Sequence, residues 1–241
     1  MGIRNPFEAP DVTSRRGGPV KQPLSRDVIV SVALELLIRD GIEGMSLRKV
    51  AAALDTGPAT LYAYVDNLLE LRTLVLDRAL TSVVIPRSKG DDWRSPLIAI
   101  LESYSNALRQ SPGLAQVAMN TIVVGPTALR IIEALLSLLE QAGADQTTAA
   151  WAVDLLILYA TATAAEHNDA TKRIDTGDAL GPLLKILGSI SKKEYPKIYA
   201  SREQLVSGNG PERFYWAVDV LLNGILHTPI QPKQKRNSTK R

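Results

Sequence analysis

Cysteine is absent from this 241-residue chain, which excludes a disulfide framework and thiolate metal sites and suits the reducing cytoplasm where the protein is expected. Histidine is nearly absent. The two present, His167 and His227, form no H-E-x-x-H pair, so neither a metal nor a cofactor is expected. There is no Gly-rich phosphate loop of either common type and no G-x-S-x-G elbow. The one acid beside a histidine is Glu166, next to His167, and neighbours on a helix diverge by about 100°, too far to form a catalytic dyad. An enzyme is therefore not expected. No apolar run suited to export opens the sequence. The most apolar tract, Trp151 to Ala165, is interrupted by Asp154 and is too short to cross a bilayer, so no membrane partner is expected. Period-two strand patterns and internal repeats are also missing, which leaves an all-α fold.

Charge is present but unevenly placed. The net charge is +3, yet residues 228–241 hold Lys233, Lys235, Arg236, Lys240 and Arg241 with no acid, leaving 23 basic against 25 acidic residues elsewhere. Binding to a polyanion such as DNA must then come from placed contacts more than from a broad positive field. A second basic cluster, Arg4, Arg15, Arg16 and Lys21, sits among Pro10, Gly17, Gly18, Pro19 and Pro23, where no hydrophobic period survives. Residues 1–23 are expected to be a flexible basic arm, and 228–241 a disordered basic tail.

Residues Ser46 to Tyr64 read S-L-R-K-V-A-A-A-L-D-T-G-P-A-T-L-Y-A-Y. Ser46 is a suitable cap for a helix to Leu54, whose Leu47, Val50, Ala51 and Leu54 share one face. Asp55-Thr56-Gly57-Pro58 breaks that helix, with Gly57 supplying unusual backbone angles and Pro58 opening a second helix to Tyr64. Two short helices at a sharp turn form a helix-turn-helix, whose second helix can enter the DNA major groove. Ahead of it, Ser25 caps a helix with the apolar stripe Ile29, Val32, Ala33, Leu36 and Leu37, closed by Gly41. Behind it, Asp66 or Asn67 caps a helix carrying Leu68, Leu71, Leu74, Val75, Arg78 and Ala79.

With Ala33, the Asp40-Gly41-Ile42-Glu43-Gly44 bend, Ser46-Leu47-Arg48, Ala51, Leu54 and Thr60-Leu61-Tyr62-Ala63-Tyr64-Val65, the chain resembles the TetR family of bacterial transcriptional repressors. The likeness continues more loosely through Ser111-Pro112-Gly113-Leu114, the Glu133 to Gly143 helix, and Arg213-Phe214 with Val218 to Gly224, an ending similar to the tetracycline-repressor type of ligand domain. It implies an all-helical homodimer, each subunit with a DNA head (24–66) and a ligand-binding and dimerisation domain (67–227). Departures exist. The family often has Gly at Asp55 and an apolar residue at Thr56, and usually has a phosphate-binding Lys at Leu68. The metal-chelating histidines of the tetracycline repressor have no match, so magnesium-tetracycline is not the expected effector.

Within that frame, Thr60, Ala63 and Ala59 face the bases on the helix that Pro58 opens, while Arg48, Lys49, Thr56, Tyr62 and Tyr64 hold the backbone of double-stranded operator DNA. The alternative for the two tyrosines is to pack the three-helix head, but Leu61 is the better core candidate. Arg15 and Arg16 either lie in an unstructured extension or follow the minor groove, as homeodomain arms do.

Further helices are expected at 94–110, 111–120, 126–143, from Asp145 or Thr147 to about Asn168, at 182–190 and at 211–227, with a polar loop at 167–181 and a Lys/Tyr/Pro-rich connection after 190. Residues 151–165 and 214–226 are apolar on more than one face. They either cross the monomer core or form a four-helix interface between two subunits, and the resemblance favours the homodimer. Tyr104, Asn120, Trp151, Tyr159, Thr163, Glu166 and His167 are the candidates to line a pocket for a small-molecule effector. His167 is otherwise a helix-end residue near free carbonyls. The function expected is that of a repressor released by an effector, and the rival is a constitutive DNA-binding or architectural protein whose second domain only dimerises.

Overall fold

A computed structural model describes residues 5–7, 24–174, 181–228 and 230; Arg15, Arg16 and nearly all of the basic tail lie outside them. The described residues are helical, with no β-strand among them beyond one isolated bridge between Lys89 and Asp92.

Three helices make the head. α1 (Arg26–Asp40) starts at Ser25, whose hydroxyl accepts from the Val28 amide, and stops at Gly41, whose φ of 69° lets its N–H turn back onto the Leu37 carbonyl at 2.9 Å. A 3-10 turn (Ile42–Gly44) leads to α2 (Leu47–Ala53), capped by Ser46 through the Lys49 amide. α3 (Pro58–Leu61) follows. It is shorter than expected: α geometry ends at Leu61, and Tyr62 to Tyr64 continue as a turn held by Ala63 N–H to Thr60 and Tyr64 N–H to Leu61. The turn between α2 and α3 also differs in which residue bends. Gly57 has an ordinary extended φ of −85°, and the left-handed residue is Asp55, at φ 49°. Asp is one of the few side-chain-bearing residues that tolerate this region, which accounts for its place where the family often has Gly.

α4 (Leu68–Ala79) is capped by Asn67, not Asp66, and runs out of the head into the second domain. One side zips onto α1, where Arg78 pairs with Asp27. Its last turn reaches α7 (Pro126–Gln141), because the buried Asp77 carboxylate accepts from the Thr127 and Ala128 amides at 3.1 and 2.9 Å. Those amides are orphan donors of α7's first turn, and Pro126 at its start lacks one by nature.

The core is built by α5 (Arg94–Arg109), α6 (Pro112–Met119), α7 and α8 (Gln146–Ile174), with α5 and α6 lying along α8. Asp145 caps α8 through the Thr147 and Thr148 amides. The helix runs past the expected end at Asn168 and takes in residues 169–174, which were expected to be loop. Its stretch Gln146–Glu166 is long and apolar enough to cross a membrane, contrary to the expectation from Trp151–Ala165 alone. Its Ala149, Ala152, Leu156, Ala160 and Ala164 are buried against the neighbouring helices, which is the place of a core helix. Small residues there let the helices approach closely.

α9 (Gly181–Ser189) is followed by a helix the sequence did not suggest, α10 (Pro196–Leu205), in the expected Lys/Tyr/Pro-rich connection. Pro196 opens it, and Arg202 stacks over Tyr199 at 4.5 Å. α11 (Gly210–His227) begins with a reciprocal cap, Asn209 with Glu212, and buries Val218 and Leu222 against α8.

Candidate DNA interface and effector cavity

The outer face of the helix-turn-helix is continuous. Arg48, Lys49, Pro58, Ala59, Thr60, Tyr62 and Ala63 are all exposed, and Thr56 is half-buried in the turn. Beneath them Val50, Ala51, Leu61 and Val65 are buried and set the angle between the two helices. The tyrosines part company. Tyr62 is 56% exposed, while Tyr64 is 3% exposed and belongs to the core. The expected phosphate contact by Tyr64 is corrected accordingly: its ring fills the head, and its carbonyl is held by Arg26, whose Nε and Nη2 both donate to it at 3.0 Å.

Two details limit the positive charge of this face. Lys49 donates from Nζ to the Glu43 carbonyl at 2.7 Å, so its ammonium is drawn toward the 3-10 turn. At the start of α4, where the family has its lysine, Glu70 accepts from the Asp66 amide at 2.6 Å. Leu68 stands at the lysine's position, and the acid two residues on satisfies the helix end. Nearby, the Arg39 guanidinium holds the Asp40 carboxyl below its usual range through a hydrogen bond.

The second domain contains a cleft of about 990 Å³ between α5, α8 and the α10–α11 turn. Tyr159, Thr163 and Glu166 line it, as expected from the sequence. Tyr159 and Phe214 stack with centroids 5.8 Å apart and planes at 23°, giving a flat aromatic wall. Burial, and secondarily the Glu166 charge, push the Tyr159 phenol above its ordinary value. Ser105 and Arg109 face from α5, so the cleft carries a cation, an anion and hydroxyls around an apolar floor. Arg213 fixes the far wall by donating to the Leu205 and Ser207 carbonyls at 2.9 and 2.6 Å.

The other pocket candidates lie elsewhere. Tyr104 is 1% exposed, shares a 3.1 Å hydrogen bond with Thr161, and is a core residue whose phenol is pushed up by burial. Asn120 is exposed at the end of α6 and donates to the Gln116 carbonyl. Trp151 is 63% exposed on the outside of α8, away from the cleft. His167 lies on α8, but its side chain is outside the described residues. Ser105, Arg109 and Phe214 were missed as pocket residues. Nothing local marked Ser105 or Arg109 on the amphipathic α5, and Phe214 was assigned to an interface helix.

Among the described residues, apolar side chains are exposed on α8 (Trp151, Leu155 and Leu158), on α11 (Trp216, which also lines the cleft, and Val220) and on α9 (Leu183, Leu184 and Ile186). The opposite faces of α8 and α11 are buried. The head meets the rest of the protein along α4, which is tied to α7 through Asp77, and at the start of α6 against α1, where the Ser111 hydroxyl donates to the Leu37 carbonyl at 3.0 Å.

Comparison with known proteins gives a consistent result. Residues 29–67 match the family model for bacterial regulatory proteins of the tetR family, and residues 85–228 match that for the tetracyclin repressor-like C-terminal domain. Over 218 residues the chain is 30% identical to the HTH-type transcriptional repressor DrrR1 of Streptomyces coeruleorubidus, spanning 86% of this chain and 79% of that one. It is 26% identical to the class E tetracycline repressor protein of Escherichia coli over 88% of this chain and 99% of that one. The crystal structure of the TetR family protein ActR of Streptomyces coelicolor in complex with actinorhodin superposes with a TM-score of 0.79 at 30% identity, covering 86% of this chain and 97% of that one.

Proposed function

This chain belongs to the TetR family of bacterial regulators, and from that we propose that it is a cytoplasmic repressor that leaves its operator when a small molecule fills the cleft between α5, α8 and α11. Members of the family bind operator DNA, dimerise and take up small ligands, and the relatives carry the names of regulators rather than enzymes.

The cleft carries the reading. A domain that only dimerised would have no need of a cleft with an aromatic wall and opposed charges. Its chemistry fits a flat, largely apolar molecule with an ionisable or hydrogen-bonding edge, met by Tyr159 and Phe214 on the face and by Arg109, Thr163 and Glu166 at the rim. That ActR was crystallised with actinorhodin makes such a cleft a reasonable place for an effector here.

On the DNA side, Thr60 with Ala59 and Ala63 would meet base edges, and Arg48, Lys49 and Tyr62 would hold phosphates. Pairing the α8 and α11 stripes of two subunits would bury the apolar surface and set two heads on one face of the duplex, with half-sites about 34–36 Å apart or a multiple of it. An effector acts by favouring a head spacing that no longer fits, and its leverage is its differential affinity for the two arrangements. The test is a screen of small molecules for release of the protein from DNA of its own upstream region. Release by a compound that Tyr159→Ala no longer responds to supports the reading. Tight DNA binding that no compound entering the cleft alters would favour the constitutive rival.

A further inference from the structure

Asn5, Pro6 and Phe7 lie far before α1 in sequence yet are folded against the joint between head and core. The Asn5 side chain accepts from the Phe7 amide at 3.1 Å, which turns the tripeptide. The Pro6 carbonyl accepts from Arg26 Nη1 at 2.7 Å. That same guanidinium holds the Tyr64 carbonyl through its other two nitrogens, so one side chain ties the tripeptide to the end of the DNA-recognition turn. The Phe7 ring is half-buried against the hydrophobic core and walls a small cleft of about 270 Å³ together with Val30, Leu74, Asp77 and Thr81.

The ring reaches the second domain as well. At Gly125, just before α7, a Cβ would stand 2.7 Å from Phe7 Cζ and 2.4 Å from the Asp77 carboxylate. Glycine is required there twice over, because its φ of 144° is closed to other residues and because both neighbours approach the bare backbone. The Asp77 carboxylate in turn holds the first amides of α7. The tripeptide therefore touches α1, the recognition turn through Arg26, α4, and the start of α7: the pieces whose mutual angle decides how the head is carried.

We propose that Asn5–Phe7 is an intramolecular latch, seated by Phe7 in the α1–α4 cleft and by Pro6 on Arg26, that holds the head at one angle to the core. A contact made at one head angle and lost at another shifts the balance between them by its own free energy. The latch stabilises the arrangement in which it is seated, and losing it frees the head to sample others. Arg26 is a positioning residue in this scheme, acting on the recognition turn through the Tyr64 carbonyl.

The absence of native cysteine makes the test direct. The full chain carries spin labels at Glu35→Cys on α1 and Glu140→Cys on α7, both exposed positions, and is diluted with unlabelled chain so that each labelled subunit reports its own head-to-core distance. The parent should give a narrow distribution. Phe7→Ala, and a chain starting at residue 8, should broaden it with helical content unchanged, and Phe7→Leu should largely restore it. Affinity for DNA of the upstream region should fall about fivefold in Phe7→Ala, the loss expected if about one fifth of dimers keep both heads at the competent angle. A distribution in Phe7→Ala as narrow as the parent's overturns the latch. The DNA measurement rests on the regulatory reading; should the parent itself ignore that DNA, that reading fails while the distance measurement still decides the latch.

Discussion

Gly113 sits at the second position of α6, where the core presses on the end of α1. A Cβ there would lie 2.4 Å from Leu37 Cδ1, 3.1 Å from Leu37 Cγ and 3.0 Å from the Ile42 backbone nitrogen. Carbon atoms in contact prefer about 3.5–4.0 Å, so the neighbours must move by about 1 Å. Leu37 cannot swing aside, being wholly buried, and Ile42 is backbone. Overpacking of this kind costs about 1–3 kcal/mol. Against it stands the helix preference for Ala over Gly, about 0.5–1 kcal/mol in a helix interior and less at a first turn. Gly113→Ala should therefore destabilise by about 1–2 kcal/mol, which lowers the melting temperature by about 2–8 °C in a chain of this size. Gly188→Ala is the internal control: it lies in α9, nothing stands within 4 Å of the added methyl, and it should stabilise slightly. The wedge at Gly113 also pushes α6 off α1, so DNA affinity should fall while effector binding persists. Scanning calorimetry of both variants decides the matter. A Gly113→Ala protein as stable as its parent would show that the joint yields freely and refute the close-packing argument.

Further outcomes follow from the same geometry. Tyr62→Phe should weaken operator binding by about 0.5–1.5 kcal/mol in a titration at fixed salt, one hydrogen bond's worth, whereas Tyr64→Phe should leave it unchanged because that ring is interior. Val220→Asp places a charge on the uncovered α11 stripe; it should sediment as a folded monomer, and an intact dimer would exclude that face from the interface. Burial raises the Tyr104 phenol above its ordinary 10.0, so the folded chain keeps a proton the unfolded chain gives up. Stability should then be intact below pH 10 and decline above it, and Tyr104→Phe should flatten the decline in a melting-temperature profile.

Much of the head could be read from the chain because its signals are local. Ser25, Ser46 and Gly41 terminate helices through atoms within four residues of themselves, and the apolar spacing of Ile29, Ala33, Leu36 and Leu37 needs no distant partner. Reading failed where local signals were weak. α10 buries none of its residues, so it offers no stripe to detect. The end of α8, residues 167–174, is polar enough to pass for loop. Tyr62 and Tyr64 stand two residues apart in a turn too short to show a period, yet one is exposed and the other interior. The cleft was the hardest, since Arg109 and Phe214 become neighbours only when α5, α8 and α11 come together. No spacing along the chain encodes that meeting.

The uncovered stripes of Trp151, Leu155 and Leu158 on α8 and Trp216 and Val220 on α11 bear on dosage as well as on assembly. If only a second copy of the chain covers them, the DNA-competent species forms in proportion to the square of the free chain concentration, and stability itself becomes concentration-dependent. At low abundance the promoter would be nearly unguarded, and above a threshold it would close steeply. A cell could then set the sharpness of its response through how much of this protein it makes, before any effector arrives.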